Sequence, residues 1–286
     1  MSAPKIRQVY VIGCGPAGLA AAHAARGLGR DVVIFAPSRM SPLRGPLLIQ
    51  QPIPGITVSQ PDAYISQHVI GGSILDYRYR LYGDVNINIQ GDILAPGYDA
   101  WRLKPAYHAM WALYSNLIVD MQVYPDNLRY FAELEGVLVV CTAPRYLMCG
   151  QFDVNTWKGK HSFLFAPVDI APVTMYPGQP DNTIIFNADG ARGEWVRSSS
   201  IFGHKVTEWK PGDGQKEKGR IAAAERYEKN GPVTIKKPIS TDCQCHRRVL
   251  FTGRFGAWRN ETWIHTAYHD VRRALISDDN QELSFT

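Results

Sequence analysis

Long apolar runs are missing from this sequence. A membrane-spanning helix needs roughly eighteen consecutive apolar residues, and the longest candidates here are short stretches such as residues 137 to 140, so no membrane partner is expected. Cysteine is scarce and odd in number: Cys14, Cys141, Cys149, Cys243 and Cys245 are the five in 286 residues. That argues against a disulfide framework and for a reducing compartment, so a cytoplasmic location is expected. Charge of one sign is weak, with a formal net charge of +5 and a pI near 8.9; an anionic partner is admissible but not identified. Lys5 and Arg7 ahead of an apolar stretch imitate a secretory signal, but Gly13, Gly15 and Pro16 interrupt what would be its apolar core. Internal repeats and low-complexity segments are also lacking. What remains is ordinary for a globular chain with a real core, at 45% hydrophobic residues, in one large domain or two small ones.

Residues 8 to 35 read as strand, tight turn, helix and strand, from Val9–Ile12 through Leu19–Leu28 to Val32–Phe35. Residues 37 to 61 are crowded with proline, which excludes helix and central strand. From Ile74 to Ile89 aromatic and β-branched residues alternate with polar ones around Gly83 and Asp84, which reads as an antiparallel hairpin. A helix over Pro105–Tyr114 and strands over Leu117–Val123 and Val137–Val140 return to α/β character. Residues 162 to 208 read as further antiparallel strands, notably Thr183–Phe186 and Trp195–Phe202. Between Lys205 and Lys237, nine Lys or Arg face five acids, a solvated charged segment or a contact surface. The last element is an amphipathic helix from about Thr262 to Ile276, with Ile264, Ala267, Tyr268, Val271, Ala274 and Leu275 on one face.

The densest chemical signal is Gly13-Cys14-Gly15-Pro16-Ala17-Gly18. Its first glycine permits the turn after the strand, the second lets a pyrophosphate approach, and the third allows helix and sheet to pack closely. The helix N-terminus adds unpaired N–H groups and a partial positive charge. A dinucleotide-binding fold follows from this placement directly after an apolar strand. The acid expected at the end of the second strand, to hold the adenosine ribose, is absent: Ala36 aligns there, followed by Pro37, Ser38 and Arg39. Either Ser38 or a residue elsewhere meets the ribose, or Arg39 meets a 2′-phosphate and the ligand is NADP.

A second block, Val249–Phe251 followed by Thr252-Gly253-Arg254-Phe255-Gly256-Ala257-Trp258, again reads as strand and glycine turn, leading into the last helix. Its helix N-terminus suits an electron-rich ring edge, and Arg254 suits a pyrophosphate. With residues 9 to 35, 137 to 144 and 249 to 275 in this layout, the chain resembles the FAD-dependent oxidoreductases related to flavin amine oxidases, protoporphyrinogen oxidase and UDP-galactopyranose mutase. The likeness covers roughly a quarter of the sequence, and the chain is shorter than a typical mutase. It implies FAD as cofactor, since a nicotinamide domain does not need the returning C-terminal segment. It implies a Rossmann-like α/β FAD-binding domain from residues 1–70, 105–150 and 246–286, with a smaller antiparallel-sheet substrate domain from 71–104 and 151–245. The cofactor-binding set is then Gly13, Gly15, Pro16, Ala17, Gly18, Ser38, Arg39, Gly253, Arg254, Trp258, Thr262 and Trp263.

The activity implied is oxidation of a C–N bond in an amine-bearing substrate. Its alternatives are a non-redox mutase of a sugar nucleotide, or a flavoenzyme acting on a base in nucleic acid, with Lys216, Lys218 and Arg220 on the phosphates. Flavin chemistry needs no catalytic triad; Glu261 and His265 are the candidate bases. Arg192, Arg197 and His204 around Trp195 read as strand exteriors or as contacts to an anionic substrate. Cys243, Cys245 and His246, with Cys149 and His161 upstream, offer soft ligands. Their spacing is not that of a zinc finger, and adjacent Cys245 and His246 rarely reach one tetrahedral ion, so no metal is expected.

Overall fold

The computed structural model describes residues 5–37, 48–83, 96–153, 155, 158–172, 176, 178–213, 233–259 and 262–283. In chain order its elements begin β1 (Gln8–Ile12), α1 (Pro16–Gly27), β2 (Asp31–Ala36), β3 (Leu48–Ile49), β4 (Ala63–Ile70), α2 (Ile74–Tyr82), β5 (Gly97–Arg102) and α3 (Leu103–Tyr114). There follow β6 (Ile118–Asp120), α4 (Pro125–Glu133), β7 (Val137–Cys141), β8 (Phe152–Asp153), β9 (Lys158–Gly159) and β10 (Phe163–Ala171). The chain continues through β11 (Thr183–Asn187), β12 (Trp195–Ile201), β13 (His204–Trp209), β14 (Val233–Thr241), β15 (Val249–Phe251), α5 (Gly253–Ala257) and α6 (Ile264–Leu283). Two compact units result, one from residues 1–59, 103–164 and 240–286, the other from 60–102 and 165–239.

The first unit holds a five-stranded sheet in the order β15-β7-β1-β2-β6, with every neighbouring pair parallel. The strand order therefore reverses between β1 and β7, which makes the carboxyl ends of those two strands the topological switch point of a Rossmann-like α/β unit. Val9, Val11 and Ile12 of β1 are buried, as a central parallel strand covered on both faces requires. Tyr10 meets Phe35 and Phe131 with ring centroids 5.2 and 5.3 Å away. Helix α1 buries Gly18, Leu19 and five alanines. Side chains that small let it sit close to the sheet while α3 and α6 pack against it. Helix α6 presents Ile264, Ala267, Tyr268, Val271 and Leu275 as its buried stripe, the face its periodicity marks.

The second unit carries strands in the order β14-β10-β13-β12-β11-β4-β5. The sheet is mostly antiparallel, but β4 runs parallel to β11. Phe202 and Gly203, with φ of 52° and 78°, make the two-residue turn between β12 and β13. Asn182 Oδ1 accepts from Phe202 N–H and Asp181 Oδ1 from Gly203 N–H, each at 3.0 Å, so the left-handed backbone of Phe202 is held from outside the turn. Strand β12 matches the strand expected over Trp195–Phe202 to within its last residue, which lies in the turn.

The hairpin expected over Ile74–Ile89 is a correction. Residues Ile74–Tyr82 are helix α2, and residues 84–95 lie outside the described residues. Ser73 Oγ accepts from Asp76 N–H at 3.2 Å while Asp76 Oδ2 accepts from Ser73 N–H at 2.7 Å, a complete capping box. Gly83 closes the other end with φ of 73°. These caps override the two-residue alternation, and only Tyr77 is buried, against Phe186. Of the basic segment after Lys205, strands β13 and β14 hold the two ends. Lys216, Lys218, Arg220 and the side chain of Arg192 lie outside the described residues. Arg197 is a structural residue: it stands 3.6 Å from Glu208 Oε1, and Lys237 pairs with the other oxygen of the same buried carboxylate.

Removing one member of a buried ion pair leaves an uncompensated charge at a cost of about 3–5 kcal/mol. Glu208→Ala is therefore expected to lower unfolding stability by that order in urea titration; an unchanged midpoint would show that the carboxylate is dispensable.

Candidate dinucleotide-binding site

Gly13 leaves β1 with φ of 106° and donates its N–H to Phe35 O at 3.0 Å. A Cβ built there would stand 2.8 Å from Thr142 Oγ1. Thr142 is itself pinned, donating its N–H and its hydroxyl to Ile12 O at 2.9 and 3.0 Å. The residue after β7 thus seals the floor of the turn after β1. Gly18 lies one helical turn on, and its Cβ would fall 1.9 Å from Gly13 O, so no side chain is admissible there.

Gly15 differs from both. It caps α1 with extended backbone (φ −68°, ψ 176°), makes no side-chain cap, and is followed by Pro16 at the first helical position. Nothing lies within 4 Å of the position its Cβ would take. Above it is open space, and below it are the first-turn N–H groups that an α-helix leaves without intrahelical acceptors. A bare, extended residue at the positive end of a twelve-residue helix fits a pyrophosphate.

The C-terminal glycine block arrives at the same place. Thr252 donates its N–H to Cys141 O at 3.1 Å and its hydroxyl to Asp270 Oδ2 at 2.6 Å, which ties the end of β15 to both β7 and α6. Gly253 follows with φ of 69°, and its Cβ would stand 2.7 Å from Ala17 Cβ. A Cβ on Gly256 would fall 2.3 Å from Cys141 O. The two glycine blocks, distant in sequence, are in direct contact.

Several expected members of the set have other employment. Residues Gly253–Ala257 are a short helix rather than an open turn, and five residues sum too few peptide dipoles to polarise a ring edge. Trp258 takes a left-handed backbone, is 1% exposed and donates Nε1–H to Leu164 O at 2.9 Å. Tyr146 and Phe163 meet its ring edge-on at 5.1 and 5.8 Å, so its side chain is core. Thr262 donates its hydroxyl to Arg259 O, and Trp263 donates its N–H to Thr266 Oγ1; both organise the start of α6. The Arg254 guanidinium lies 5.9 Å from the Trp263 ring centre. Ser38, Arg39 and Glu261 lie outside the described residues.

The acid missing from the end of β2 has a neighbour that the sequence did not mark. Ala36 is paired in register with Asp120, the last residue of β6. A carboxylate therefore stands at the carboxyl edge of the sheet, one strand outward from the expected position. Tyr107 adds a further support by donating its hydroxyl to Cys14 O at 3.3 Å.

His265 is 6% exposed, and its Nδ1 has no hydrogen-bond partner among the described residues. Burial, with His269 nearby, lowers its pKa from 6.5 to about 4. The imidazole is neutral at physiological pH, able to accept a proton but only weakly basic.

No protein-family model matches the chain, and no curated protein matches it in sequence. Solved structures match its fold. The 2,6-dihydroxypyridine-3-hydroxylase from Arthrobacter nicotinovorans is similar with a TM-score of 0.52 over 98% of this chain and 84% of that one, at 11% identity. A 2-methyl-3-hydroxypyridine-5-carboxylic acid oxygenase variant reaches 0.50 over 96% and 87%, at 13% identity. The tryptophan 5-halogenase MibH reaches 0.50 over 96% and 66%, also at 13%. Identities this low establish the Rossmann-like α/β fold and leave substrate and reaction to the site itself.

Two predictions follow from packing and protonation. Gly15→Ala should leave the ligand-free protein within about 0.5 kcal/mol of its parent, whereas Gly18→Ala should destabilise it by several times that amount, as read by thermal unfolding. Equal effects would refute the contrast. For His265 the folded pKa lies below the unfolded one, so its contribution is fully present above pH 6.5 and is lost as pH falls through about 4. Roughly 3 kcal/mol should disappear over that window, and His265→Leu should flatten that part of the stability curve.

Proposed function

We propose that the protein is an FAD-dependent oxidoreductase acting on a small molecule. The observation that carries this reading is the bare Gly15 platform at the N-terminus of α1, with Gly253 packed against Ala17 beside it. A dinucleotide clamp built from both ends of the chain is the layout of the flavoprotein oxidoreductases that the sequence resembles. Gly15 and the first-turn N–H groups of α1 hold the pyrophosphate. Asp120 accepts the adenosine ribose hydroxyls in place of the absent acid on β2. When bound, FAD supplies the two-electron redox chemistry, and the chain's residues bind, orient and exclude water.

The resemblance favours oxidation of a C–N bond in an amine. A second reading has its own support, because two of the fold neighbours are named a hydroxylase and an oxygenase of hydroxypyridines. The two differ in what they need: an amine oxidase draws electrons from its substrate, whereas oxygenation requires an external reductant.

Purified protein should be yellow and release FAD on denaturation. Gly15→Ala should abolish retention of the cofactor, and Asp120→Asn should weaken FAD affinity roughly tenfold. A colourless protein that takes up no FAD on reconstitution would overturn the reading. Anaerobic bleaching by an amine alone selects C–N oxidation, and bleaching only by a nicotinamide reductant selects hydroxylation.

A further inference from the structure

We propose that Cys149, His161, Cys243 and Cys245 form a closed tetrahedral zinc site in the first unit. The ligand atoms of these four residues all lie within 4.8 Å of one another, and Cys149 Sγ stands 3.8 Å from Cys245 Sγ. Zinc binds thiolate at about 2.3 Å, and a tetrahedron with arms of that length has edges of about 3.8 Å. A disulfide would need the sulfurs at about 2.05 Å; all five cysteines are free. Three thiolates and one imidazole complete the coordination shell, which leaves no open position and makes the site structural rather than catalytic.

The four ligands come from three segments. Cys149 ends the single helical turn Arg145–Met148 that follows β7. His161 lies just beyond β9, and Cys243 and Cys245 lie in the link between β14 and β15. Hydrogen bonds among the protein groups hold these segments together. Ser162 N–H donates to Asp242 Oδ1 at 2.7 Å, the Thr241 hydroxyl to Ser162 O at 2.6 Å, and Cys243 N–H to Thr241 Oγ1 at 3.1 Å. Cys149 and Cys243 are buried, while Cys245 and His161 are half-buried, so an ion has a way in.

The expectation that no metal binds rested on a spacing unlike that of a zinc finger and on the adjacency of Cys245 and His246. The structure removes the second objection, because the imidazole of the cluster is not His246. His246 has φ of 60° and its Nε2 is 2.9 Å from Met148 O, so it is occupied elsewhere. His161 takes the place, with its Nδ1 3.7 Å from Asp242 Oδ1, and a carboxylate beside a ligating histidine steadies the ring and its tautomer.

Charge also closes. Zinc with three thiolates carries one net negative charge, and Arg145 donates to Cys243 O at 2.5 Å, placing a guanidinium beside the cluster. Zinc takes its cysteine ligands as thiolates, so binding releases the thiol protons.

The test is metal analysis of the full-length protein purified without chelator, independent of whether it carries flavin. About one zinc per chain is expected, released by a mercurial thiol reagent. Cobalt substitution should give the long-wavelength d–d bands of a tetrahedral thiolate site, beyond the absorption of oxidised flavin. His161→Gln and Cys243→Ser should lose the metal, while His246→Asn, which suits the left-handed backbone, should keep it. Protein that contains no zinc and takes up neither zinc nor cobalt would overturn the proposal, whether or not the variants fold. So would a Cys149–Cys245 disulfide in freshly purified protein, iron in place of zinc, or loss of zinc in His246→Asn with retention in His161→Gln.

Discussion

The first unit depends on one close approach, that of the N-terminus of α1 to the turn after β1. Gly18 presses on the carbonyl of Gly13 so tightly that a methyl group would fall 1.9 Å from the oxygen. A helix that near the sheet must present small residues, and α1 does, with alanines along its buried surface. That thin face then lets α6 pack close on it and lets Gly253 reach Ala17. Gly13, Gly18, Gly253 and Gly256 are each explained by what their absent side chains would strike. Gly15 is not. Ser, Asp or Asn would cap α1 better than glycine, and nothing lies within 4 Å of the position a Cβ on Gly15 would take. The chain forgoes a stabilising cap at a position where packing does not forbid one, which supports the proposed role of Gly15 as a platform for the pyrophosphate.

The treatment of the adenosine end shows the same economy of position. In the proposed site the adenosine ribose is met by a carboxylate at the carboxyl edge of the sheet, on the strand next to the expected one. Ala36 is buried at the end of β2, and Asp120 is placed beside it by the parallel pairing of β2 with β6. In sequence the two strands are separated by residues 37–117, which include the first of the second unit's two segments. Their adjacency is a property of the sheet, and strand pairing across so long a connection leaves no local mark in the sequence.

This divides what was readable from what was not. The βαβ opening was legible because each of its signals is local: an apolar strand, three glycines at fixed spacing, and an alanine-rich helix. The terminal block was legible as strand and glycines, and even its convergence on the first block followed from the resemblance. Failures came where two local rules compete or where a partner is remote. The tyrosines and arginines after Ser73 alternate like a strand, yet the Ser73–Asp76 box and Gly83 decide for a helix. Trp258 looked cofactor-facing because it follows a glycine turn, whereas its left-handed backbone turns it into the core. Cys149, His161, Cys243 and Cys245 were all noticed in the sequence, but spacing alone argued against a metal, and only the fold shows their ligand atoms within 4.8 Å of one another.

The cysteine cluster and the glycine crevice are physically linked through β15. That strand is three residues long and, among the described residues, lies at the edge of its sheet and pairs only with β7. A ladder so short does not fix its own position, so both of its ends must be held. At the carboxyl end Thr252 is bonded to Cys141 O and to Asp270. At the amino end the chain turns at His246, whose carbonyl accepts from Val249 N–H at 3.0 Å, directly after the two cysteines. A metal there would join the residues before β15 to the turn after β7, so the two strands could not slide past each other. Since Gly253 must meet Ala17 with no room for a methyl group, a slip of even one residue in β15 would break the clamp. With the proposed metal bound, rigidity at the cluster would support precision at the crevice, since both bear on the same strand.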